Sequence, residues 1–319
     1  VGDLGLVRSA DQFLFGYDDG HRLLIGSREL SPATAVALLG ATDAAMTEDC
    51  APLVTGVALP DSNEFAFAVT WSAPETPRPG AVWAHALIVG EDALRDPLTL
   101  EVLLGLPRRP PVSGSELEGY RAPVALDGVA AVTPSYLPPE PPERELLESL
   151  AFAAYDPGGG RTVVHENLAG AAKALLALWR AQWPALRAGF SFRTRELVRK
   201  GGSDFDLTVT RKIRGVASEA APAAPRAAPP WLRGVIEDAA AAAPTPLREF
   251  LCTFGPLEPC DPRRLAALAT LWLSVGARDA EGARAQLARD WPAPESGAAL
   301  KQVLFGSEND SWWSVQTRA

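Results

Sequence analysis

The chain has 319 residues, of which 47% are hydrophobic and 22% charged, with a formal net charge of −9 at pH 7. That composition is globular rather than disordered, and the length suits two domains and a substantial core. The acidic balance opposes nonspecific binding to phosphate backbones or anionic membranes, so neither nucleic acid nor a membrane is an expected partner.

The three cysteines (Cys50, Cys252, Cys260) and three histidines leave little for a metal site and give no disulfide framework. They fit a reducing compartment. No run of 18 uncharged apolar residues and no basic-then-apolar leader is present, so a cytoplasmic location is expected. A chain that opens at Val1 suggests processing or truncation, and high Ala, Arg, Pro and Gly usage suggests a GC-rich bacterial genome.

The first element is a hairpin over Gln12 to Ser27, with apolar arms flanking Tyr17-Asp18-Asp19-Gly20-His21. An Asp-Gly step between apolar runs supplies the positive φ that a tight turn needs. Ser31-Pro32 reads as an N-cap and first helical residue, with a short helix expected to end at Gly40. Glu64 to Ser72 alternates strictly, as a half-buried strand does. Ala81 to Val89 is apolar on both faces and reads as a central strand carrying His85.

Asp96-Pro97 opens a helix through Leu106. Val124 to Val132 is a further strand candidate, and Pro138 to Pro142 a stiff spacer. Helices are expected over Glu143 to Tyr155 and Glu166 to Trp183, where Leu175, Leu176, Trp179 and Trp183 form a buried stripe. Short strands should follow at Arg161 to Val164, Phe190 to Phe192 and Phe205 to Thr210.

Ala217 to Pro230 is biased to Ala and Pro and marks a linker. Beyond it the pattern is helical only: Trp231 to Ala243, Pro246 to Phe254, Pro262 to Val275, Ala280 to Asp290 and Ala298 to Phe305. The expected architecture is therefore α+β, with a mixed or antiparallel sheet and packed helices over 1–216. A 217–230 linker and an all-α domain over 231–319 complete it. Trp312-Trp313 in the tail suits docking on a partner.

Chemistry is sparse. Lys200-Gly201-Gly202-Ser203 has the wrong order for a phosphate-binding loop, and Gly158-Gly159-Gly160 leads into a strand. Neither a G-x-S-x-G elbow nor a zinc helix is present: Gly170 stands where a second histidine would follow His165-Glu166. No metal or cofactor is expected. One constellation could act: Asp18, Asp19 and His21 on the hairpin, Arg78 in the connector and His85 on the central strand. If these met, a His/Asp pair could serve as a general base. Cys50 is the nearby nucleophile candidate. Equally, Gly20 could simply make the turn while His21 and His85 make buried hydrogen bonds. The basic run Arg193 to Lys200 reads as a solvated face.

The set Gln12, Phe15-Gly16-Tyr17, Gly20-His21, Leu23-Leu24 and Ser27, then Arg78-Pro79-Gly80-Ala81-Val82-Trp83-Ala84-His85 and Phe190-Ser191-Phe192-Arg193-Thr194, resembles a known family. It is similar to the amino-terminal region of GTPase-associated proteins found beside GTPases in bacterial conflict, or anti-phage, systems. The helical part, with Leu247-Arg248-Glu249-Phe250-Leu251, is similar to their middle domain. Those proteins often continue into a further carboxy-terminal region. The resemblance implies a protein-binding, non-enzymatic adaptor or sensor that couples a partner GTPase to an effector. Gln12, Tyr17, Gly20, His21, Arg78 and His85 would be its motif or ligand positions. The alternatives are a hydrolase or small-ligand-sensing domain using His21 and His85 with Asp18 and Asp19, or a structural module that forms homo-oligomers.

Overall fold

In the computed structural model the described residues are 8–60, 62–111, 114–128, 130, 132–156, 158, 160–196, 205–211 and 229–306, with backbone alone at 114–116. The chain is α+β. Its strands are β1 (Ser9–Tyr17), β2 (His21–Gly26), β3 (Leu53–Ala58), β4 (Glu64–Ser72), β5 (Val82–Gly90), β6 (Val124–Ala125), β7 (Thr162–Val164), β8 (Phe192–Arg195) and β9 (Leu207–Thr210). They form one mixed sheet in the order β2-β1-β5-β4-β3-β8-β9-β7, with β6 paired to β1. The order is antiparallel from β2 to β8 and parallel across β8, β9 and β7.

Alternation along the strands sorts residues between the two faces. Ala66 and Ala68 of β4, with Ala84 and Ala86 of β5, make a floor of small side chains beside Phe13 and Phe15. On that floor lies α1 (Pro32–Thr42), anchored by Leu38. Phe65, Phe67, Val69, Leu87 and Val89 point the other way, into the main core. There they meet α2 (Pro97–Gly105), α3 (Arg144–Tyr155), α4 (Leu168–Ala181) and α5 (Pro184–Gly189).

The helix starts obey local chemistry. Ser31, Asp96 and Asn167 each accept a backbone N–H of the first turn, and Pro32 and Pro97 sit where no N–H is needed. α1 runs through Gly40 to Thr42, two residues past the expected stop. Pro184 ends one helix and opens another. The strand expected over Val124 to Val132 is only two residues long. The proline spacer is tied down, since Lys173 Nζ donates to Pro138 O at 2.6 Å.

The carboxy-terminal helices are α6 (Pro230–Ala240), α7 (Pro246–Phe254), α8 (Arg263–Gly276), α9 (Ala280–Asp290) and α10 (Ala298–Phe305). α6 packs on α3 and α4, and α8 on α3. Leu232, Val235 and Ile236 share one core with Leu147, Leu150 and Leu175. Residues 217–228 of the expected linker, and Trp312 and Trp313, lie outside the described residues.

Candidate functional site

The hairpin turns through Asp18-Asp19-Gly20, with φ of +54° at Asp19 and +134° at Gly20. That geometry explains the glycine. Asp18 pairs with Arg22 and Asp19 is exposed, so neither carboxylate bonds a histidine.

His21 starts β2 on the α1 side of the sheet. Its ring stacks on Phe15 with centroids 6.0 Å apart, and Nε2 lies 3.0 Å from Thr42 Oγ1. The Thr42 hydroxyl donates to Leu38 O at 2.8 Å, so it accepts from His21 Nε2–H and leaves Nδ1 with a lone pair. Burial lowers the His21 pKa, and the nearby Asp43 carboxylate partly offsets this.

Beside His21 opens a cleft of about 520 Å³ on the sheet face that α1 partly covers. The hairpin supplies Tyr17 and His21. The connector before β5 supplies Arg78, whose guanidinium sits 5.7 Å over the Tyr17 ring. Pro79 and Gly80 (φ +74°) fold that connector as a type II turn, closed by Ala81 N–H donating to Arg78 O at 3.2 Å. The floor carries Thr55 of β3 and Thr70 of β4; β8 adds Arg193 and Arg195, and Asp43 sits on the rim.

His85 is elsewhere. Leu14 pairs with His85 and Phe15 with Ala84, so His85 faces away from α1 while His21 faces toward it. His85 is 1% exposed; its Nδ1 accepts the Arg108 N–H at 3.3 Å, and its Nε2 has no partner among the described residues. The Tyr120 ring meets it edge-on at 4.9 Å. Burial, aided by the Arg108 charge, pushes its pKa down to about 3. Gln12 shares this face, with Nε2 donating to Gly119 O at 2.9 Å and Ala122 O at 2.6 Å. It fastens the 3-10 segment Gly114–Arg121 over His85.

The structure thus brings Tyr17, His21 and Arg78 together and leaves Gln12 and His85 across the sheet. Cys50 has no histidine against it; burial and Glu196 push its thiol up to about 12, which leaves it unreactive. His165 bonds Asn167 locally. Sequence reasoning missed Thr55, Thr70, Arg193 and Arg195. The signal for the last two was their alternation after Phe192, which puts both on one side of a strand. Among the described residues, no group of three or more His, Cys, Asp or Glu is placed to hold a metal ion. Among them too, no helix is long and apolar enough to cross a membrane.

No curated protein and no solved structure matches the chain. Residues 9–106 match the family described as GTPase-associated protein 1, N-terminal domain type 1. That stretch carries Gln12, Tyr17, His21, Thr55, Thr70, Arg78 and His85, and ends before β8. Over that stretch the chain is similar to the N-terminal domain of GTPase-associated protein 1.

Proposed function

We propose that this chain is a non-enzymatic adaptor or sensor for a partner GTPase in a bacterial conflict system, and that it couples that GTPase to an effector. The observation that carries this reading is the family match over residues 9–106. The GTP chemistry belongs to the partner, in keeping with a sequence that lacks a phosphate-binding loop. The test is a pull-down of the GTPase encoded beside this protein, loaded with GDP or with a non-hydrolysable GTP analogue. Retention that depends on the nucleotide supports the reading; equal or absent retention in both states removes it.

A second reading, a small-ligand sensor, is favoured by the cleft at Tyr17, His21 and Arg78. Its hydrolase form needs two imidazoles on one site, and His21 and His85 lie on opposite faces of the sheet. A sensor needs only the His21 side.

A further inference from the structure

Among the described helices, α1 alone carries no charged residue: its sequence is PATAVALLGAT. Thr34, Leu38 and Thr42 turn inward, onto the sheet. The opposite stripe, Pro32, Val36 and Leu39 at steps of four and three, is exposed, with Val36 at 73% and Leu39 at 38%. A helix in solvent normally sets charged or polar residues on its outer face, and one that is apolar all round is normally covered on both sides. Other apolar side chains are exposed singly, such as Leu98 on α2, but that helix carries Glu101.

The surroundings of α1 specify what could cover it. Between Glu29 and Cys50 there is no Lys, Arg or His, while Glu29, Asp43, Glu48 and Asp49 are all exposed. Asp43 caps the helix carboxy terminus and no basic residue lies in the last turn, so the negative end of the dipole meets a further negative charge. Across the cleft, Arg78 is turned to the Tyr17 ring and Arg193 to the Phe205 ring. A partner that is apolar at its centre and basic at its flanks complements this strip.

A second copy of the chain does not. An 11-residue helix is about 16 Å long, and its outer half offers roughly 250 Å². A stable dimer buries roughly 800 Å² per partner. A two-fold contact would also bring like-charged flanks together in a protein of net charge −9. An area of that size suits a single helix laid along α1.

We propose that the outer face of α1 docks an amphipathic, basic-flanked helix of a partner protein. Leu39, Gly40 and Asp43 also line the cleft, so the docked helix covers one lip of it. The proposal names a surface and the chemistry of its occupant, and it stands whether or not that occupant belongs to a GTPase.

The experiment is fluorescence anisotropy of a labelled synthetic amphipathic helix of about 16 residues, Leu on one face and Lys at both ends, titrated with the full chain. Binding is expected at about 10–100 μM. An analogue with Glu at both ends, and a Lys-flanked scramble without the apolar face, should each bind about tenfold more weakly. Val36→Gln should weaken binding by about fivefold or more, and Asp43→Asn by about twofold. Leu98→Gln, equally exposed on α2, should bind as the parent does. Absence of binding at millimolar peptide overturns the proposal, as does equal binding of either analogue or parental affinity in Val36→Gln. Self-association of the full chain by light scattering, abolished by Val36→Gln, would assign the face to a second copy and overturn it too.

Discussion

His85 is neutral in the folded protein because its pKa is pushed down to about 3. In the unfolded chain it takes up a proton near its ordinary pKa of 6.5. The unfolded state therefore binds more protons between those values. The stability contributed by neutral His85 is complete above pH 6.5 and is lost as pH falls toward 3. Between pH 6.5 and 5.5 this linkage is worth about 1 kcal/mol. Urea unfolding at the two pH values should show a drop smaller by that amount in His85→Phe than in the parent; equal drops would refute it. Sequence placed His85 correctly on the side of Trp83 and Leu87. It could not say that His21 faced the other way, because strand pairing sets that relation. The Leu14/Phe15 irregularity in the β1–β2 register shows how little pattern alone constrains it.

At the level of elements, two glycines make opposite predictions. A Cβ on Gly56 of β3 would lie 2.5 Å from the Phe192 ring, at the seam between β3 and β8. Gly56→Ala should therefore cost about 1–3 kcal/mol through overpacking. Gly40 sits inside α1 with nothing within 4 Å of such a Cβ, so Gly40→Ala should stabilise by about 0.5–1 kcal/mol. Chemical denaturation measures both, and a shared sign would contradict the packing. Gly56 also explains why β3 went unread. Its Leu53–Ala58 stretch lacks clean alternation, and the reason for its glycine lies 136 residues away at Phe192.

At the end of α4, buried Arg187 donates to Trp179 O, Arg180 O, Gln182 O and Leu94 O, none of them a carboxylate. Its charge answers the negative end of the helix, and burial lowers its pKa only to about 10, so it stays charged at neutral pH. Arg187→Met strands those carbonyls and should cost about 3 kcal/mol, read as a fall in the denaturation midpoint.

At the scale of the whole molecule, the sheet, the helices over it and α6 share one core. Helix boundaries after residue 230 were legible because Pro, Asp and Gly punctuate them and their apolar stripes recur at helical spacing. What those stripes pack against was not, since contact between α6 and α3 or α4 depends on tertiary geometry. The shared core predicts one cooperative thermal transition. Leu232→Ala should lower stability by about 2–4 kcal/mol and shift far-UV and tryptophan signals together. Two separate transitions would show that the helical part melts alone.

The seam between β3 and β8 has a practical consequence for anyone trimming the chain to its recognisable portion. Val54 N–H donates to Thr194 Oγ1 at 2.9 Å, and β8 covers the flank of β3. A fragment ending at residue 106 would leave β3 as a naked edge, a template for pairing with a second copy. It would also carry half a cleft, without Arg193 and Arg195. Dimers formed by such a fragment would be artefacts of the cut, and its failure to bind a ligand would say nothing about the longer chain.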